Sequence, residues 1–86
     1  MADIFIPKDK LNKDLFNMVF TNQITRKNID SYFYLHKLGL VNTFPISTKI
    51  GIEHFEPNKR SLNLLIDILI FEKNENCLAV FSNMFH

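Results

Sequence analysis

With 86 residues, ten basic and nine acidic side chains and a net charge of +1, the chain has room for one small domain, 1–86. The balanced charge makes no global case for nucleic acid, an anionic membrane or an acidic substrate, and a hydrophobic fraction of 47% excludes disorder as the default. A single cysteine, Cys77, excludes an internal disulfide.

So short a chain buries little surface, and nine Phe with many Ile and Leu compensate, because each large apolar side chain contributes about 1.5–3 kcal/mol when buried. The start, MADIFIPKDK, has neither a basic nor a long apolar region of the kind a signal peptide needs. No apolar run approaches the roughly 20 residues of a membrane helix. The expectation is a soluble protein of the cytoplasm, or of the host cytoplasm if viral. Abundant Lys, Asn, Ile and Phe without Trp suggest an AT-rich genome: a low-GC bacterium, a phage or another mobile element.

In chain order, residues 3–6 (DIFI) read as an optional short edge strand before Pro7, which suits a first helical turn. From Lys8 to Asn22 a helix is predicted, with Leu11, Leu15, Met18 and Val19 inward, Phe16 and Phe20 widening the stripe, and Lys10, Lys13, Asp14 and Asn17 wet. A break falls at 21–23, and Thr25 or Asn28 can cap a second helix. Its inward face is expected at Ile29, Tyr32, Phe33 and His36, with Lys37 in the last turn and Gly39 as the C-terminal cap.

Ile46 to Phe55 alternates apolar and polar residues, as a half-buried strand does. Pro57–Arg60 is a turn signal. Residues 61–71 read as a second strand, with Leu62, Leu64, Ile66, Ile68 and Ile70 on one face and Leu65, Asp67, Leu69 and Phe71 on the other. A loop at 73–76 and a returning strand over 77–85 complete a hairpin. A helix over 61–71 competes, since Leu62, Leu65, Ile66 and Leu69 also fit helical spacing. The strand is favoured by the Ile content and the β-rich run that follows. The expected fold is α+β: two N-terminal helices packed on a three-stranded antiparallel meander. In such a fold Leu65, Asp67, Leu69 and Phe71 lie on a face that the helices leave open, which makes them the candidate protein interface.

Signatures of chemistry are sparse. Gly39 and Gly51, the only glycines, build no phosphate loop, and His36, His54, His86 and Cys77 offer no chelating spacing, so neither metal nor cofactor is expected. The run Glu53–Glu56 (EHFE) is the most enzyme-like cluster, with His54 and Glu56 on one strand face as a general acid–base pair, or simply a solvated strand end. Asp67 inside an apolar run needs solvent, a cation such as Lys49, Arg26 or Arg60, or a partner across an interface.

The segment TRKNIDSYFYLHKLGLV, 25–41, interleaves Arg26, Lys27, His36 and Lys37 with Tyr32 and Tyr34, a mixture that can grip phosphates and stack bases. A helix ending in LGLV and followed by strands resembles the end of a recognition helix leading into a winged helix-turn-helix, over roughly residues 25–55. The resemblance implies a nucleic-acid-binding regulator. It departs from that pattern in showing two helices where the family uses three, and in carrying Asp30 where a cation would serve.

Two functions follow. The first is a small non-enzymatic protein-interaction module, an inhibitor or regulator that contacts another protein or itself, a homodimer included, through the C-terminal hairpin. The alternative is a nucleic-acid-binding regulator, winged-helix-like or RNA-binding, using Arg26, Lys27, Lys37, Lys49, Lys59 and Arg60.

Overall fold

A computed structural model describes residues 5–42, 55–70 and 75–85. Four α-helices carry these residues: α1 (Lys8–Thr21), α2 (Ile29–Lys37), α3 (Leu62–Ile70) and α4 (Glu75–Asn83). Helix α1 is the hub, packing against α2, α3 and α4, while α3 also packs on α4.

The first helix follows its sequence. Leu11, Leu15, Met18 and Val19 are buried, and Asn22 ends the helix in the left-handed conformation at φ 54°. Phe20 stays 55% exposed, stacked on half-buried Phe16 with ring centroids 5.6 Å apart. Pro7 precedes the helix instead of occupying its first turn, and its carbonyl accepts from the Leu11 N–H at 2.9 Å.

The link from α1 to α2 is built by side chains. Thr25 Oγ1 accepts from the Lys27 N–H at 3.3 Å, and Asn28 Oδ1 accepts from the Thr25 N–H at 2.8 Å. These bonds close the turn that precedes α2, whose N-cap is Asn28. The Asn28 amide also donates to Asn17 Oδ1 at 3.0 Å, which ties the turn to α1. One helical turn on, Ser31 Oγ donates to the Asp14 carboxylate, which is paired with Lys10 at 2.5 Å. Of the expected inward set, Tyr32 is buried and Ile29 is half-buried against the core, but Phe33 and His36 are exposed, and Asn28, Ser31 and Leu35 complete the inward face. Phe33 and His36 are exposed because Asn28 and Ser31 find partners on α1 and can be buried without penalty.

Gly39 closes α2 as its position suggested. At φ +77° it lets the Leu40 N–H reach Leu35 O and its own N–H reach His36 O, both at 2.9 Å. Leu35 and Leu40 are both buried, the apolar contact that accompanies such a cap. Val41 then pairs antiparallel with Pro57 in an isolated bridge, bounded by hydrogen bonds from Asn42 N–H to Glu56 O (3.0 Å) and from Asn58 N–H to Leu40 O (2.9 Å).

The α+β expectation is overturned: among the described residues this bridge is the only β pairing, and no sheet is present. Residues 61–71 were expected as a strand, yet Leu62–Ile70 is helix α3, entered through a 3₁₀ turn at Lys59–Ser61. Asn58 starts that turn, its side chain accepting from the Arg60 N–H at 2.8 Å. The expected returning strand is likewise helix, with Cys77 and Phe81 buried at i, i+4 spacing in α4. Ile content favoured a strand, but packing against α1 and α4 decides, because β propensity measures fit to a surface more than backbone preference. Residues 5 and 6 form no strand, and Ile6 is buried. The expected strand over 46–55 lies outside the described residues, except for Phe55.

Apolar residues all round α3 now have an account. Leu65 and Leu69 are fully buried, and Leu62, Ile66 and Ile68 flank them, half-buried against the core. The outward arc carries Asn63, Leu64, Asp67 and Ile70.

Candidate functional site

Helix α2 and its flanks gather most of the candidate cations. Arg26 and Lys27 sit in the turn just before it and Lys37 in its last turn, all exposed. The pairing of Val41 with Pro57 brings the turn that carries Lys59 and Arg60 against the C-terminal end of α2, where Ser61 Oγ donates to Gly39 O at 3.3 Å. Lys59 and Arg60 are exposed as well. Cations remote in sequence thus flank both ends of one helix that is about 13 Å long at 1.5 Å per residue. Lys49 lies outside the described residues.

Tyr32 ties this helix to the paired segments. Its ring meets Phe55 edge-on at 6.4 Å, and its hydroxyl donates to the backbone carbonyl of Asn42. Burial, with a smaller contribution from Glu56, pushes its phenol up to about 12.

Beside the paired segments an open groove of about 710 Å³ is floored by Phe55 and Pro57, both buried. Asn42, Asn58, Lys59, Arg60, Met84 and Phe85 also line it, and Glu56 contributes a carboxylate. Phe85 is held edge-on by Phe81, ring centroids 5.4 Å apart.

The proposed protein-contact residues are divided. Leu65 and Leu69 are 0% and 1% exposed, part of the core and out of reach of a partner. Asp67 is exposed on the outward arc of α3, which satisfies its charge with water. Phe71 lies outside the described residues. Of the acid–base pair, Glu56 is exposed beside the bridge, and His54 lies outside the described residues. Cys77 is buried, with its thiol pushed up to about 11 by burial and its Sγ 3.7 Å from Phe16 O, an environment that suppresses the reactive thiolate. Among the described residues, no three His, Cys, Asp or Glu side chains gather as metal ligands. None of the described helices is long and apolar enough to cross a membrane.

The sequence carries no local signal for the groove residues Asn42, Met84 and Phe85, which meet only through tertiary packing. Asn28, a candidate cap in the sequence, is the N-cap of α2, whereas its burial and that of Ser31 depend on partners from α1.

Compared with known proteins, the chain matches no family model, no curated protein and no solved structure.

Proposed function

We propose that this chain is a small, non-enzymatic nucleic-acid-binding regulator that grips the phosphate backbone with the cations around α2. The observation that carries the reading is the Val41–Pro57 pairing, which adds Lys59 and Arg60 to the end of the helix that already bears Lys37. Arg26 and Lys27, exposed in the turn just before α2, add two cations near its other end.

Charge reversal tests it. Arg26→Glu with Lys27→Glu and, separately, Lys59→Glu with Arg60→Glu should each lower affinity for labelled nucleic acid at least tenfold at low salt, while a charge reversal at Lys13 on the outer face of α1 should have little effect. Equal affinity for all of these variants would contradict the reading.

A second reading, contact with another protein or a second copy, rests on the outward arc of α3, where Leu64 and Ile70 are 58% and 48% exposed on either side of Asp67. Leu64→Asp should then dissolve an assembly seen by light scattering and leave a folded monomer.

A further inference from the structure

The groove between the Asn58–Arg60 turn and the end of α4 combines three kinds of group that seldom meet. Lys59 and Arg60 supply cations, and Asn42 and Asn58 supply amide-bearing side chains. Phe85 supplies an aromatic ring that Phe81 already fixes in orientation. Met84, 37% exposed, adds a polarizable apolar surface next to it. Its volume of about 710 Å³ falls within the range of ordinary small-ligand sites.

We propose that this groove takes up one unstacked nucleotide of a single-stranded nucleic acid, with the base on Phe85 and Met84 and the phosphate toward Lys59 and Arg60. The inference rests on the nucleic-acid reading above and names the form of nucleic acid that the groove admits. An acidic peptide would use the cations and leave the ring idle, and an apolar ligand would leave the cations idle. A nucleotide engages all three chemistries: aromatic side chains stack bases, amides meet base edges, and cations meet phosphate. Charge complementarity favours it, since Glu56 is the one carboxylate against two cations on the described wall. A base inside a duplex is already stacked and paired, so the groove discriminates between strand states in a way that the α2 cations do not.

Fluorescence anisotropy with a labelled single-stranded oligonucleotide, and with the same sequence as a duplex, tests the proposal. Phe85→Ala should weaken single-strand binding about tenfold or more and change duplex binding less than about twofold. Because Phe85 packs on Phe81, Asn42→Ala serves as a second variant: the Asn42 side chain is exposed and its backbone carbonyl, which the substitution keeps, is what Tyr32 contacts. It should weaken single-strand binding several-fold with the unfolding midpoint unchanged. If both variants bind the single strand as the parent does, the groove proposal is overturned and the backbone-gripping function stands. If the parent binds neither probe at low salt, both fail.

Discussion

The Tyr32 hydroxyl donates to the backbone carbonyl of Asn42, so a side chain from the middle of α2 fixes the point where the paired segments leave the helix. Tyr32 is 2% exposed, and its ring packs on Phe55 of the opposite segment. Tyr32→Phe keeps the ring and removes only the hydrogen bond. It should cost about 1 kcal/mol in urea unfolding, the usual net value of one such bond. The same residue sets a pH dependence. An unfolded Tyr loses its proton near 10, whereas the folded phenol keeps its proton to about 12. Between these values the folded state binds more protons than the unfolded state, so stability falls as pH rises. Cys77 acts alike between about 9 and about 11. Urea midpoints measured from pH 8 to 12 should decline, and Tyr32→Phe should flatten the upper part of that decline.

Helix α3 makes opposite demands on two leucines that differ little as sequence. Leu69 is 1% exposed and Leu64 58%. Leu69→Ala should cost about 2–5 kcal/mol through lost burial and a residual cavity, whereas Leu64→Ala should stay within about 0.5 kcal/mol. A strand over 61–71 would reverse that order, with Leu64 inward and Leu69 outward. Denaturant titration of the two variants therefore tests the helical assignment directly.

Gly39 isolates a backbone effect. At φ +77° a Cβ would meet nothing within 4 Å, so the cost of a side chain is conformational and not steric crowding. Gly39→Ala should destabilise by about 1–2 kcal/mol, and Gly39→Asn by less, because Asn tolerates the left-handed region better. Equal stability of the parent and both variants would argue against the cap.

The N-terminal half was legible because its signals are local and redundant. Leu11, Leu15, Met18 and Val19 repeat at helical spacing over a long run, and Gly39 ends the next helix where an apolar-periodic segment stops. The face of α2 was misjudged because Asn28 and Ser31 look like surface residues until Asn17 and Asp14 meet them from α1. The C-terminal half misled for a different reason. With Leu or Ile at nearly every position from 62 to 70, both periods are satisfied, and only packing on α1 and α4 selects the helix. The cations are named residue by residue in the sequence, but the meeting of Lys59 and Arg60 with Lys37 at the C-terminal end of α2 depends on the Val41–Pro57 pairing, which no local pattern specifies.

The most direct test of the proposed function is the salt dependence of binding. The affinity of the parent protein for labelled duplex and single-stranded nucleic acid would be measured across a series of salt concentrations. If Arg26, Lys27, Lys37, Lys59 and Arg60 grip phosphates, log affinity should fall linearly with log salt, with a slope of about −3 to −4.5 on duplex, since each neutralised phosphate contributes about 0.9. Absent binding at low salt, or a slope near zero, would contradict the account and leave the exposed arc of α3 as the surface to pursue.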